Sequence, residues 1–191
     1  MHDREERGLA WQLVGIQVAV LLLVVALTPA SALFPNEGDV LLYFQDGQRV
    51  LAGLIPYRDF PFEYPPLALL PMILPQLLWP FSKLTFETFE WLFLLQNAAL
   101  AAATGVSVAW VARRTSDRDL PVARALATWA LLVIAAAPFV SWRFDIFPAL
   151  LSMLAVALAL AGRPRLAGLS LGVGVAAKLF PAVLGPVILV R

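Results

Sequence analysis

Long apolar runs with almost no charge constrain the fold of this chain more than any other feature of its sequence. Several exceed about 18 residues, the length at which an α-helix crosses a bilayer. Hydrophobic residues make up 61% of the chain, against roughly 45–50% in soluble domains. The sequence predicts an all-α, polytopic integral membrane protein. The expected spans cover residues 9–33, 88–112, 122–140 and 146–161, and a last apolar run covers 166–190.

The charged and reactive residues exclude several classes of function. The net charge is only +1, so the chain lacks the basic surface that would indicate binding to nucleic acid. The chain has no cysteine, which excludes disulfides and thiolate chemistry, and its one histidine, His2, leaves no histidine-based metal site or catalytic triad. Residues 1–191 are expected to form one transmembrane domain. Because the chain stops just after an apolar run, this domain is expected to be the front part of a longer protein.

The first apolar run ends in Ala30-Ser31-Ala32, a sequence similar to a signal-peptidase site. A signal peptide has an apolar region of only about 7–15 residues, and the tail before this run mixes acids with bases. The first run is therefore predicted to remain as a span with a cytoplasmic N-terminus.

The stretch from Gly38 to Pro66 is the one long segment that is neither an apolar run nor a short charged connector. From Asp39 to about Gly53 it predicts an amphipathic helix in the membrane interface. Asp39, Tyr43 and Asp46 would share one face of this helix, and Val40, Phe44 and Leu51 another. The proline- and aromatic-rich remainder predicts an ordered loop within a first outer loop, residues 34–87.

The apolar run from Leu67 to Phe81 either crosses the membrane or returns to the same face as a hairpin. It is short and contains three prolines, each of which removes a helix hydrogen bond. If it returns, the basic residues divide eight inside to four outside, and if it crosses, this bias reverses. The positive-inside rule therefore predicts a non-spanning hairpin. The eight inner residues are Arg4, Arg7, Arg113, Arg114, Arg118, Arg124, Arg163 and Arg165; the four outer ones are Arg49, Arg58, Lys83 and Arg143.

This topology brings the polar groups that could carry chemistry to one outer face. Asp39 is either a helix N-cap or a general base for an attacking hydroxyl. Arg143 and Asp145 form either a snorkelling interfacial pair or a site for a lipid phosphate, which guanidinium binds in a bidentate way. In the loop, Arg58, Asp59, Glu63 and Tyr64 are either a solvated local ion pair with its neighbours or the wall of a substrate pocket.

Lys178 lies in the last apolar run, where a mid-span cation costs roughly 2.5–3.5 kcal/mol. An acid, a phosphate or a water-filled cavity must therefore compensate its charge. The run is either one span kinked near Pro181 or two short helices that meet near Lys178 at the outer face. Gln96 and Asn97 are predicted to donate hydrogen bonds between helices.

These motifs form an ordered series that resembles a known family. The loop carries Asp39, Tyr43, Gly53 and Pro56-Tyr57, followed by Arg58-Asp59-Phe60 and Glu63-Tyr64-Pro65-Pro66-Leu67. Later come Arg143-Phe144-Asp145 with Pro148, and Ala177-Lys178-Leu179-Phe180-Pro181. Over nearly the whole chain, the series resembles the C-superfamily glycosyltransferases, and most closely glycosyltransferase family 87, the polyprenyl-phosphate-mannose-dependent mannosyltransferases.

The resemblance implies a glycosyltransferase-C-like helix bundle that transfers a sugar, expected to be mannose, from a polyprenyl-phosphate donor to a hydroxyl acceptor outside the cytoplasm. The family's catalytic acid corresponds to Asp39, and the basic residues for the donor phosphate correspond to Arg143 and Lys178. The pocket is expected to include Tyr43, Arg58, Asp59, Glu63, Tyr64 and Asp145. Family members are longer than this chain, and many related enzymes carry adjacent acids where this chain has Glu37-Gly38-Asp39.

The expected partners are the lipid-linked donor, a glycan or glycolipid acceptor and the lipids of a bacterial plasma membrane. A monophosphate leaving group needs less neutralisation than a pyrophosphate, so no metal is required, although carboxylates could bind Mg²⁺ or Mn²⁺. Two other classes remain open. A transporter would use Lys178 and Asp145 as an ion path and would usually show repeated halves; a non-enzymatic assembly protein would use the loop for docking.

Overall fold

The computed structural model describes residues 2–27, 38–79, 84–115 and 120–189. The end of the first apolar run, with Ala30-Ser31-Ala32, lies outside the described residues, as do Lys83 and Arg118. Every regular element in the described ranges is helical, which confirms the all-α prediction for this part of the chain.

The α-helices are α1 His2–Leu27, α2 Gly38–Leu51, α3 Leu69–Leu77, α4 Phe86–Thr115, α5 Leu120–Ala135, α6 Ala137–Trp142, α7 Ile146–Leu160, α8 Pro164–Ala177 and α9 Gly185–Leu189. Short 3₁₀ helices precede α3 at Pro66–Ala68 and α9 at Phe180–Leu184. Among the described residues, α4 is the one helix long and apolar enough to cross a bilayer.

Two of the predicted spans are interrupted. The span predicted over 122–140 leaves helical geometry at Ala136 (φ −99°, ψ 15°), so α5 and α6 are separate helices. The last apolar run breaks at Lys178, whose backbone is extended (φ −158°, ψ 143°). Of the two alternatives for that run, the structure has separate helical pieces on either side of Lys178.

The direction of each long helix follows from its contacts. Leu21 of α1 packs with Ala98 of α4 and Val133 of α5. One turn earlier, Gln17 and Trp129 both lie against Gly105, where an added Cβ would be only 3.1 Å from the Trp129 ring. From Gln17 to Leu21 on α1, the neighbouring residues therefore have decreasing numbers on α4 and increasing numbers on α5. Helix α1 is therefore antiparallel to α4 and parallel to α5.

Helices α7 and α8 are also antiparallel. The Ser170 hydroxyl donates to the Leu151 carbonyl (2.8 Å), and Lys178, at the end of α8, pairs with Asp145, just before α7. Asn97 of α4 bonds to the backbone before α7, while Trp110 and Leu158 line one groove further along. The alternating helices therefore collect the start of α7 and the ends of α6 and α8 at one end of the bundle, which we call the site end.

Helices α2 and α3 pack together at the site end. The Gln76 amide donates to the carbonyls of Phe44 (3.1 Å) and Met72 (3.3 Å), and the Gln96 amide donates to the Pro71 carbonyl (2.9 Å). This last contact bears out the prediction that Gln96 joins helices. At a rise of about 1.5 Å per residue, the apolar helical stretch Pro66–Leu77 is too short to cross a hydrocarbon core of about 30 Å.

The predicted faces of α2 were partly wrong. Tyr43 and Asp46, expected on the polar face, are each only 1% exposed, and Leu51, expected on the apolar face, is 50% exposed. Helix α2 is covered on two sides, by α3 and by the aromatic residues that follow it. The face with Tyr43 and Asp46 is therefore buried as well as the apolar face. The Asp46 carboxylate accepts a hydrogen bond from Arg49 Nη1 (2.8 Å), and burial raises the pKa of Asp46.

We predict that Gly47→Ala loosens the packing of α2 on α3. The new Cβ would overlap the Gln76 amide and lie 3.1 Å from the Met72 carbonyl oxygen, so Gln76 would lose its bond to Phe44. The expected loss in the free energy of unfolding is about 1–3 kcal/mol, measured as a lower melting temperature in detergent. Gly168→Ala is the control, since nothing lies within 4 Å of its Cβ. Equal melting temperatures for the two variants would contradict the packing argument.

Candidate functional site

The candidate site lies where α6 ends and α7 begins. Arg143 has an extended backbone (φ −126°, ψ 146°), and Asp145 precedes α7 without capping it through its side chain. The Asn97 side-chain amide donates to the carbonyls of Ser141 (3.0 Å) and Arg143 (3.1 Å), which fixes this break against α4. The prediction that Asn97 joins helices is confirmed.

Asp39 meets Arg143 at this break. Arg143 Nη2 lies 2.9 Å from Asp39 Oδ2, and the two side chains are 38% and 30% exposed. Asp39 lies in the first turn of α2. Its carboxylate contacts Arg143, which follows α6, and Tyr43, one turn further along α2. The structure therefore brings together the loop acid and the later arginine that the sequence singled out separately.

Tyr43 is a hydrogen-bond donor to the Asp39 carboxylate. Its hydroxyl donates to Asp39 Oδ2 at 3.5 Å, the long limit of a hydrogen bond. Its ring packs against Tyr64, Phe93 and Phe144 at centroid distances of 6.0, 5.6 and 5.3 Å. Burial raises the pKa of Tyr43 far above its usual range, and the nearby Tyr64 and Asp39 raise it further. Tyr43 therefore remains a neutral hydrogen-bond donor.

Lys178 and Asp145 form the second ion pair of the site. Lys178 Nζ donates to Asp145 Oδ1 and also lies 5.2 Å from the centre of the Phe144 ring. An acid and an aromatic face thus compensate the cation, as its place in an apolar run required. The break at Lys178 places its side chain at a helix end, where it is 30% exposed.

Each of the four charged side chains lies at a helix end where the helix dipole has the opposite sign. Arg143 and Lys178 directly follow the C-termini of α6 and α8, where the helix dipole is negative. Asp39 lies in the first turn of α2 and Asp145 directly precedes α7, where the dipole is positive. The backbone therefore favours this arrangement of charges at the site end.

Phe144 is a site residue that the sequence reasoning missed. It is fully buried and contacts Lys178 as well as the rings of Tyr43 and Tyr64, the latter at 5.0 Å. It therefore connects the surroundings of the two ion pairs. A usable signal was its position in the sequence, directly between two charged residues, Arg143 and Asp145, that the reasoning had already selected.

Only Tyr64 of the four predicted loop residues reaches this cluster. Arg58 and Asp59 pair with each other (2.9 Å) in an exposed turn, and Asp59 also accepts the Ile55 N–H (2.8 Å). These hydrogen bonds, led by those from Arg58, lower the pKa of Asp59. Glu63 is exposed. The structure therefore shows the local ion pair that the sequence left as one alternative, and a role for Arg58, Asp59 and Glu63 at a pocket rim stays a prediction.

The loop that carries Tyr64 is held in one shape. Tyr57 has a left-handed backbone (φ 66°), which few residues other than glycine adopt. Its N–H donates to the Phe60 carbonyl (3.0 Å), and its hydroxyl donates to the Tyr64 carbonyl. These contacts position the Tyr64 ring against Phe144.

Asp39 and Asp145 are the site carboxylates that could bind a metal ion, and each already faces a cation. Within the described ranges, no three His, Cys, Asp or Glu side chains lie close enough to bind one ion together.

Comparison with known families places most of this site within one match. The sequence model of glycosyltransferase family 87 matches residues 62–191, about two thirds of the chain. Tyr64, Arg143, Asp145 and Lys178 fall within the match, whereas Asp39 precedes it and is joined to it by the contact with Arg143. No curated protein and no solved structure matches the chain.

We predict that Tyr43 makes the protein sensitive to alkali. An unfolded tyrosine ionises near pH 10, but burial raises the pKa of Tyr43, so the folded chain keeps this proton at a pH where the unfolded chain loses it. The free energy of unfolding should therefore fall as the pH rises above about 10, by up to roughly 1.4 kcal/mol per pH unit for this group. Tyr43→Phe should fall less steeply.

Melting temperatures in detergent measured between pH 8 and pH 11, on either side of the usual tyrosine pKa of about 10, check this. The two curves should run parallel below the usual pKa, which serves as an internal control, and converge above it. Curves that stay parallel throughout would show that Tyr43 ionises alike in both states.

Proposed function

The chain belongs to glycosyltransferase family 87, and on this premise we propose that it is a polytopic membrane enzyme that transfers mannose from a polyprenyl phosphate to an acceptor hydroxyl outside the cytoplasm. Its family makes it a transferase with a sugar donor and a glycan acceptor. The observation that carries the finer proposal is the contact of Asp39 with Arg143 beside that of Asp145 with Lys178. An acid for a hydroxyl and two cations for a phosphate lie at one end of the bundle.

The orientation follows from the basic residues. Helix α4 runs away from the site end and finishes in Arg113-Arg114, and α7 runs the same way and is followed by Arg163 and Arg165. The positive-inside rule assigns this arginine-rich end to the cytoplasm. The site end, with Asp39 and Arg143, then faces the extracytoplasmic side.

In the proposed reaction Asp39 acts as general base. The acceptor oxygen attacks the anomeric carbon, and Asp39 takes the hydroxyl proton. The bond from that carbon to the phosphate oxygen breaks, and the lipid phosphate leaves with the electron pair. A positioned base contributes about 10²–10⁴-fold to such a step. Tyr43 remains a neutral donor and orients the Asp39 carboxylate.

Arg143 and Lys178 would stabilise the phosphate as it gains charge in the transition state. In the structure, Asp39 and Asp145 neutralise these cations. A bound donor phosphate would displace Asp39 from Arg143, because phosphate accepts two parallel hydrogen bonds from guanidinium. Asp39 would then be released to accept the proton. Donor binding and activation of the base are coupled in this scheme.

The aromatic residues beside the charges would shape the donor site. Tyr64 and Phe144 pack edge to face, and Tyr64 is half-buried, so its ring can contact a sugar. Arg58, Asp59 and Glu63 are assigned to the outer rim. A monophosphate leaving group with two cations nearby does not require a metal, although a divalent ion remains compatible with the carboxylates.

A transporter would explain the breaks at Arg143 and Lys178, since transporters often bind ions at discontinuous helices. Such sites lie at the bilayer midplane, whereas these breaks lie together at one end of the bundle. The family match assigns the chain to transferases, so we prefer the enzyme over both the transporter and the assembly protein.

We predict that Asp39→Asn lowers sugar transfer by about 10²–10⁴-fold while the protein still folds. An asparagine cannot take the acceptor proton, but it is similar in size and can still accept a hydrogen bond from Arg143. The measurement is the consumption of labelled polyprenyl-phosphate-mannose by membranes that contain the protein.

The control is Glu87→Gln, which removes the same charge from an exposed residue in the first turn of α4. It should keep full activity. A fully active Asp39→Asn protein would exclude Asp39 as the base.

We also predict the sidedness of two exposed residues. The chain has no cysteine, so single cysteines can be labelled cleanly. Gln48→Cys on α2 should react with a membrane-impermeant maleimide in intact cells, and Thr115→Cys at the end of α4 should react only after permeabilisation. The reverse pattern would place the site in the cytoplasm.

A further inference from the structure

A groove of about 510 Å³ lies between α4 and α7 at the arginine-rich end of the bundle. This volume lies within the range of about 300–1,000 Å³ that is usual for ligand sites. The groove is at the opposite end of the bundle from the paired charges, so the transfer reaction does not use it.

The walls of the groove are apolar. Val106 and Trp110 line it from α4, and Leu154 and Leu158 line it from α7. The Ser107 hydroxyl, also in the wall, already donates to the Ala103 carbonyl (2.9 Å). Its one donor is thus used within the helix, and the surrounding apolar surface suits a hydrocarbon chain.

Two arginines from different parts of the chain end this apolar groove. Arg114 belongs to the last turn of α4, and Arg163 directly precedes α8. Neither takes part in an ion pair between described residues. Arg114 lies 5.0 Å from the Trp110 ring centre, which holds its guanidinium at the mouth. Tryptophan is enriched at the level of lipid headgroups.

We propose that this groove binds an anionic phospholipid of the cytoplasmic leaflet. The headgroup phosphate contacts Arg114 and Arg163, and one acyl chain lies between α4 and α7. Charge complementarity selects an anionic lipid, because guanidinium groups bind phosphate strongly and the cytoplasmic leaflet carries anionic lipids. The apolar wall that continues from the arginines selects a lipid over a soluble phosphate.

The test uses the full chain in detergent, titrated with phosphatidylglycerol and, separately, with phosphatidylcholine of the same acyl chains, with bound lipid counted by native mass spectrometry. Phosphatidylglycerol should bind more tightly. The double variant Arg114→Gln/Arg163→Gln should weaken phosphatidylglycerol at least about tenfold, since each basic residue contributes on the order of a fivefold change.

The matched control is Arg113→Gln/Arg165→Gln. These exposed arginines are sequence neighbours of the first pair and carry the same charge, but they do not line the groove. The control should leave phosphatidylglycerol binding unchanged. If both double variants weaken binding equally, the effect is that of net charge and the proposal fails. Melting temperatures verify that every variant is folded.

A second variant tests the acyl chain. Ala157 lines the groove from α7, and Ala157→Phe would fill it without a change of charge. It should weaken phosphatidylglycerol, and soluble glycerol phosphate should not displace the lipid from the unaltered protein. Unchanged lipid affinity in Ala157→Phe, or displacement by glycerol phosphate, would show that the arginines bind phosphate without the groove and would overturn the proposal.

Discussion

The ion pair between Asp39 and Arg143 is the contact on which the site depends, because it joins α2 to the break between α6 and α7. Both side chains are about one-third exposed, and exposed ion pairs contribute only about 0–1 kcal/mol to stability. The packing of Tyr43 and Phe144 beneath the pair fixes its position. Because the pair contributes little to stability, replacing it by a contact with a charged substrate costs little free energy.

Breaks in the helices explain how so apolar a chain accommodates these charges. An unbroken last run would have held Lys178 within a helix in the hydrocarbon, where cations are costly. The break instead places Lys178 after the C-terminus of α8, beside Asp145 and the Phe144 face. Arg143 follows α6 in the same extended conformation. The departures from regular helix at Arg143 and Lys178 thus coincide with residues that bear charge, whereas the departure at Ala136 does not.

Sequence patterns predicted the helices and the polar residues of the site better than they predicted contacts. Apolar length located α4 and α7, and the cost of a mid-span cation predicted that Lys178 needs a partner. The identity of that partner depends on the register of α8 against α7, which no local pattern encodes. The faces of α2 were misassigned for a related reason. A hydrophobic pattern assumes one buried face, whereas tertiary packing covers two faces of this helix.

The two ends of the α4–α7 pair show how one helix packing serves two purposes. At the site end, Asn97 bonds to the backbone that precedes α7, and the small residues Ala98 and Ala101 let the neighbouring helices approach closely. This tight end holds Arg143 in place for its contact with Asp39. At the other end the larger side chains of Trp110 and Leu158 line the groove between the same two helices. Small residues and hydrogen bonds where the charges must be positioned, and a groove lined by larger side chains at the far end, thus occur along the same pair of helices.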